Sequence, residues 1–305
     1  MKPPAFPLVD FYRRRRPISW EEEFGRRAPI EVEIGSGLGE FLTDVARVSA
    51  DRNFLGIEPD KNRMSKILKK WESFHFKNIR LLQTDARLVF ERLLAPLTVE
   101  RVHCLFPCPW PKRRHAKHRL LTKEFLQLVN SRLVAEGTMR IVTDFPAFAG
   151  WLQDQILQTG FLLKERLIGP QFNTKFEHKW RQAGVKEFFE LELFKKEHLE
   201  VPVKEDTVLK EFVLKDLDCR RCRLTNQKGE TSVVFKDYLY DPQRCKGMIY
   251  AIVVEKNLTQ HLWITLVKNK RGWRIAPSAG CSFLPTAGIQ RALELVYELN
   301  HTHER

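Results

Sequence analysis

Gly35, Gly37 and Gly39, in Glu33-Ile-Gly-Ser-Gly-Leu-Gly-Glu, lie directly between an apolar run and an amphipathic segment. Glycine at such a junction permits a tight turn and lets a ligand come close to the backbone. The spacing is G-x-G-x-G, whereas dinucleotide sites carry G-x-G-x-x-G and set a pyrophosphate on a helix N-terminus. The acid Glu33 just before the glycines suits a cation instead, and S-adenosylmethionine, which has no phosphate, offers a cationic amino-acid end. Glu58, in Phe54-Leu-Gly-Ile-Glu-Pro-Asp, closes a second apolar run, where a carboxylate can accept from ribose hydroxyls. Asp85, in Gln83-Thr-Asp-Ala, closes a third and could accept from an adenine amino group. Singly, each is ordinary turn chemistry. At the ends of three successive runs they favour a nucleoside cofactor.

A second unusual stretch is Leu105-Phe-Pro-Cys-Pro-Trp-Pro-Lys-Arg-Arg-His-Ala-Lys-His-Arg-Leu. Prolines 107, 109 and 111 fix an extended loop, and Trp110 offers a ring to pack or to stack. The basic residues at 112–119 would ordinarily be a solvated loop; beside a cofactor cleft they face a polyanion.

The elements that must position these residues follow from the hydrophobic pattern. Apolar runs at 30–34, 53–57, 79–83, 101–106 and 138–143 alternate with amphipathic segments at 40–50, 63–74, 86–94, 123–133 and 148–159. That alternation means βαβ units and a parallel sheet, with loops at the strands' carboxyl ends holding the ligand. Runs at 161–167 and 186–194 are expected to close the unit as a hairpin. The fold class is therefore α/β, a Rossmann-like doubly wound sheet at 30–196, with a second, smaller α+β domain at 197–305. Strand-like runs at 209–214, 232–240, 248–255, 262–268 and 273–275 and one helix at 287–299 make up the latter. Residues 1–29, with arginines at 13–16, are expected to form a flexible basic arm leading into a short helix, where Ser19 and Glu22 have capping-box spacing.

The chain of 305 residues carries 52 Lys+Arg against 38 Asp+Glu, a formal charge of +14. Residues 1–196 hold 35 basic and 24 acidic residues and the remainder 17 and 14, so a polyanionic partner is expected at the first two thirds. No run approaches the roughly 18–20 apolar residues of a membrane span, and the N-terminus lacks a signal peptide's apolar core, so a soluble, cytoplasmic protein without a membrane partner is expected. Six irregularly spaced cysteines suggest reduced thiols. Cys219-Arg-Arg-Cys222 with Cys245 and Cys281 gives one C-x-x-C where structural zinc sites usually use two, so no metal is expected. His115 and His118 are assigned to the basic surface and His103, on an apolar strand, to the core. Oligomeric state has no signature in the sequence.

Residues 106–120 are similar to the signature F-P-D-P-W-x-K-x-R-H-x-K-R-R-L of the bacterial tRNA (guanine-N7-)-methyltransferase family. Glu33-Ile-Gly-Ser-Gly-Leu-Gly-Glu-Phe, Val142-Thr-Asp-Phe and Asn173-Thr-Lys-Phe-Glu also resemble that family, in the same order, over roughly residues 18–194. The resemblance implies an enzyme moving the methyl of S-adenosylmethionine to N7 of the guanine at position 46 in the tRNA variable loop. Carried over by position, Glu33, Glu58 and Asp85 are cofactor residues beside the three glycines. Lys112, Asp144, Thr174, Lys175, Phe176 and Glu177 belong to the substrate side. The arginines at 13–16 are expected on the tRNA backbone.

One position departs from the pattern. The family's acid between two prolines, a cofactor-side or catalytic residue, is Cys108 here. Guanine N7 is a lone-pair nucleophile with no proton to lose, so alignment can supply much of the rate without a base. Asp144 or Glu177 could stabilise the cationic product. The expectation is an active enzyme in which Cys108 is a neutral loop residue. Two rivals are a cytosine-C5 methyltransferase using Cys108 as nucleophile, which the flanking residues do not fit, and a decayed tRNA-binding protein, against which the three acids and three glycines stand.

Overall fold

The computed structural model describes residues 7–71, 76–218, 222–256 and 258–301, and the chain divides into two compact units, 1–204 and 205–305. In the first unit, α1 (Trp20–Phe24) comes before the sheet, and β1 (Ile30–Ile34), β2 (Asn53–Ile57), β3 (Ile79–Leu82), β4 (Val99–Leu105) and β5 (Leu133–Thr143) are joined by α2 (Glu40–Val48), α3 (Lys61–Trp71), α4 (Ala86–Leu88) and α5 (Lys123–Arg132). Helix α6 (Pro146–Ile156) leads to the closing pair β6 (Phe161–Ile168) and β7 (Phe188–Lys195), between which lies α7 (Lys175–Gln182). The seven strands run in the order β3-β2-β1-β4-β5-β7-β6, with β1 to β5 parallel and β7 antiparallel to both neighbours. The doubly wound reading and the closing hairpin both hold. Strands β1, β2 and β3 are buried at every position, as a sheet covered on both faces requires.

Close approach at Gly56 sets the packing of α2. A Cβ there would lie 2.6 Å from Leu42 Cδ2, 2.8 Å from Leu81 Cδ2 and 2.9 Å from the Ser36 hydroxyl, so a larger residue would have to displace three buried side chains where α2 and the turn before it meet β2.

Three local expectations change. Residues 7–29 are packed, not a flexible arm: Val9 donates to Leu81 O (2.9 Å), Leu81 to Pro7 O (2.8 Å), and Ile18 to Leu93 O (3.0 Å). Phe11, Ile18 and Trp20 are buried there, Arg14 pairs with Glu23, and Arg16 donates to Phe11 O. The fully buried Arg80 holds the segment by donating to Glu23 O from Nε and Nη2 (3.0 and 2.6 Å). Arg13 and Arg15 are the exposed members of the run. Second, 86–94 is a single α turn followed by a π turn at Val89–Leu93. Third, α7 has no counterpart in the pattern reading, because five of its eight residues, Lys175, His178, Lys179, Arg181 and Gln182, are exposed and polar.

The boundary falls eight residues beyond position 196 for a physical reason. Asn130 binds Glu197 O (2.9 Å) and the amide of Leu199 (2.9 Å), the buried Arg132 binds Val201 O (2.7 Å), and Lys204 pairs with Glu91 (2.6 Å). The strap 197–204 is thus part of the first unit.

The second unit is α+β. Strands β8 (Phe212–Leu214), β9 (Thr231–Asp241), β10 (Lys246–Glu255), β11 (Leu258–Asn269) and β12 (Gly272–Pro277) form an antiparallel sheet ordered β8-β12-β11-β10-β9. Ile249, Val253, Leu262, Ile264 and Ile275 pack against Ile289, Leu293 and Val296 of α8 (Ala287–His301). Cys222, Cys245 and Cys281 border this core, and Cys219 lies outside the described residues.

Candidate active site

Five parallel strands put five loops at one edge of the sheet. A cavity of about 590 Å³, within the range of small-molecule sites, opens there. It brings together Gly35, Glu58, Asp85, Cys108, Asp144 and Phe176 from six separate segments.

On the β1 to β3 side, carboxylates answer backbone amides. Glu58, 1% exposed, accepts from Gly37 N (2.9 Å) and Asp60 N (3.0 Å), which ties the glycine turn to the end of β2. Gly37 and Gly39 do not line the cavity; with Gly35 they take φ of +58°, +72° and +78°, which a side chain would resist. Asp85 caps α4 by accepting from Arg87 N at 2.7 Å, and its half-exposed carboxylate keeps its other oxygen 3.4 Å from the Arg87 guanidinium.

Glu33 does not line the cavity either. It is buried in β1 beneath the glycine turn, where its Oε2 and the Ser36 hydroxyl are buried without hydrogen-bond partners. Burial pushes its carboxyl up to about 8; the nearby Ser36 hydroxyl opposes this, and Glu40 and Glu58 add to it. Two orphaned polar atoms, one an acid held partly neutral, are what a cationic ligand group would complete. The residues therefore fit S-adenosylmethionine: Glu58 and Asp85 line the cavity with acceptors for a nucleoside, and Glu33 adds a buried acid beneath the glycine turn.

On the β4 and β5 side, the wall is aromatic and its backbone strained. Phe106 (φ +52°) and Trp110 (φ +44°) are non-glycine residues in the left-handed region, each costing on the order of 1–2 kcal/mol. Phe106 N donates to Val142 O (2.8 Å) and its ring meets Phe188 edge-on at 5.0 Å. The Trp110 ring lies 5.8 Å from His115 and 5.3 Å from His118. Cys108 is exposed in the cavity between its prolines. Asp144, also in the wall, has its carboxyl raised by burial, against a lowering by its own backbone amide and by Lys179.

Lys112, Thr174, Lys175 and Glu177 stand outside the lining. Lys112 and Lys175 are exposed, and Thr174 caps α7 by accepting from Glu177 N (3.2 Å). Glu177, 2% exposed, accepts from the amides of Gln171 (2.6 Å), Phe172 (3.0 Å) and Asn173 (2.6 Å). Its carboxylate is engaged in shaping the loop that carries α7, which corrects the expectation that it could stabilise a cationic base. His103 is a core residue as expected, bonded to Glu31 at 2.8 Å. Sequence reading missed Arg63, 3.7 Å from Glu58, and the cavity-lining Phe148 and Trp180. They sit on helices, where one aromatic or arginine among many carries no spacing signal.

Among the described residues no helix is long and apolar enough to cross a membrane. A family model described as "Putative methyltransferase" matches residues 27–190. The tRNA (guanine-N(7)-)-methyltransferase of Chlorobium phaeobacteroides is 40% identical over 171 residues, which is 56% of this chain and 84% of that protein. That of Thermotoga maritima is 36% identical over 191 residues, 62% of this chain and 59% of the relative. A solved 16S rRNA methyltransferase, KamB, superposes with a TM-score of 0.47 at 18% identity, over 58% of this chain and 93% of its own.

Proposed function

The chain belongs to the tRNA (guanine-N7-)-methyltransferase family, and we propose that it transfers the methyl group of S-adenosylmethionine to N7 of a guanine in tRNA, the one at position 46 of the variable loop. One observation carries the reading: a single cavity joins acids placed for a nucleoside, Glu58 and Asp85, to an aromatic wall placed for a base, around Trp110, Phe148 and Phe176.

When bound, S-adenosylmethionine supplies an electrophilic methyl carbon on a sulfonium. The chain's own part is alignment, because N7 brings its lone pair and loses no proton. Glu58 and Asp85 fix the nucleoside end, while apolar walls exclude water. As the methyl moves, positive charge appears on the purine. Asp144, the carboxylate in the base-side wall, stabilises it electrostatically, more strongly for being partly buried. Exposed Lys112, Arg114 and Lys117 on one side and Lys175, Lys179 and Arg181 on α7 give the RNA backbone cationic partners without reading sequence. Such an enzyme works where tRNA is handled, in the cytoplasm.

The names of the relatives favour guanine over cytosine as the base, so Cys108 is read as a wall residue and not a nucleophile. Incubating the protein with unmodified tRNA and methyl-labelled S-adenosylmethionine tests the function. Label in N7-methylguanosine supports it, and label in 5-methylcytosine or no label contradicts it.

A further inference from the structure

We propose that Arg119 is a positioning residue that links the cofactor end of the cavity to its base end, so that occupancy at Asp85 sets the geometry of the loop 106–111. The proposal rests on the methyltransferase reading above.

The Arg119 guanidinium donates from Nε to Pro109 O (2.9 Å) and from Nη2 to Trp110 O (3.4 Å). It lies over two rings of α6, 4.5 Å from the Trp151 centroid and 5.5 Å from that of Phe148. Trp110 is the left-handed non-glycine residue of the loop, a conformation that persists only where surrounding contacts over-determine it. Arg119 supplies two of those contacts to adjacent carbonyls. Only a planar, forked cation can do this while stacking on an aromatic face.

The same residue is tied to the other end of the cavity through its backbone. Arg119 O accepts from Arg87 Nη2 at 2.9 Å. Arg87 in turn donates its amide to Asp85 Oδ1 at 2.7 Å and keeps its guanidinium 3.4 Å from Oδ2. Asp85, Arg87, Arg119 and the carbonyls of Pro109 and Trp110 therefore form one contiguous chain of hydrogen bonds. A donor on the cofactor that engages the Asp85 carboxylate competes with the longer, weaker contact to Arg87 and leaves that guanidinium to its firmer partner, Arg119 O. Cofactor binding then tightens the loop, and by linkage a base held by the loop tightens cofactor binding by the same factor.

Hydrogen exchange of the peptide 104–112, with and without S-adenosylmethionine, tests this in wild type, Arg119→Lys and Arg87→Ala. Arg87→Ala removes the link from the opposite end should Arg119→Lys disturb folding. The cofactor is expected to slow exchange at the Cys108 and Trp110 amides about fivefold or more in wild type. In both variants that slowing should vanish while slowing at 35–39 persists. Arg119→Lys should also lower kcat about tenfold while S-adenosylmethionine affinity of the RNA-free protein stays within about threefold, the split expected of lost alignment. Equal slowing of the loop in all three proteins, or none in wild type beside clear slowing at 35–39, overturns the proposal. No slowing at 35–39 and no calorimetric heat overturns the underlying reading and the proposal with it, a different signature.

Discussion

At the ends of β2 and β3 the cavity is held by carboxylates that accept from backbone amides: Glu58 from Asp60 and from Gly37 of the glycine turn, Asp85 from Arg87. On the base side the loops are held by side chains that follow them in the chain. The Pro-Cys-Pro-Trp loop is fixed by Arg119, ten residues from Pro109, and the loop before α7 by Glu177. The first half places glycine where its turn goes left-handed, at Gly35, Gly37 and Gly39. The second keeps non-glycine left-handed residues at Phe106, Trp110 and Asn173, and so depends on the side chains that hold them. A rigid cofactor half and a held, strained base half suit a protein that keeps one small ligand type and must admit part of a large RNA.

The sharpest way to break this contrast is Glu58→Ala. It removes a carboxylate that both shapes the glycine turn and faces the cavity, so S-adenosylmethionine affinity should fall on the order of 100-fold, the loss of about two charge-assisted hydrogen bonds. Isothermal calorimetry checks it, and RNA affinity should not change.

Glu33 sharpens the same half through pH. Its folded-state value of about 8 lies above the ordinary 4.5, so its contribution to stability is fully present below about 4.5 and is lost as pH rises through about 8. Glu33→Gln should therefore gain thermal stability over wild type progressively between about pH 4.5 and about pH 8, and keep it above, read by calorimetric midpoints. Because a cationic ligand needs the ionised acid, S-adenosylmethionine binding to wild type should tighten up to about tenfold per pH unit between pH 6 and 8. In Glu33→Gln this pH dependence should flatten and the affinity stay weak.

In the base half, Glu177→Gln leaves one acceptor oxygen where a carboxylate serves three amides. The KM for tRNA should rise about tenfold with S-adenosylmethionine affinity unchanged. A fall in cofactor affinity instead would dissolve the distinction between the halves.

This contrast also explains what the sequence discloses. The order of strands and helices in the first unit, and Gly35, Glu58, Asp85, Cys108 and Asp144 in one cavity, were legible because strand-end loops are local and their residue types are sparse. The buried position of Glu33 was not, since an acid inside an apolar strand gives no sign of whether it faces a cavity or lies beneath a turn. Nor were the roles of Arg119 and Glu177: one sits in a run of cations and the other in a helix absent from the apolar pattern, and only their contacts reveal what they hold. The arginines at 13–16 misled in the opposite sense. A basic, proline-rich segment looks like an arm, yet Val9, Phe11, Ile18 and Trp20 are buried, and backbone hydrogen bonds tie the segment to Leu81 of β3 and to Leu93.

Smallest of the expected effects is that of Cys108. Cys108→Ala should keep methyl transfer within about threefold of wild type, and Cys108→Asp should be tolerated, because N7 needs no base or nucleophile. Complete loss in the alanine variant would make Cys108 essential and the loop more than a wall.

Methyl transfer to guanine N7 is tested in the cell by digesting tRNA from cells lacking this protein and from the same cells complemented with it, and comparing nucleosides by mass spectrometry with position mapping. N7-methylguanosine at position 46 is expected to disappear without the protein and to return with it, and Glu58→Ala is expected not to restore it. An unchanged level of N7-methylguanosine, or a change confined to another base or atom, would contradict methyl transfer to N7.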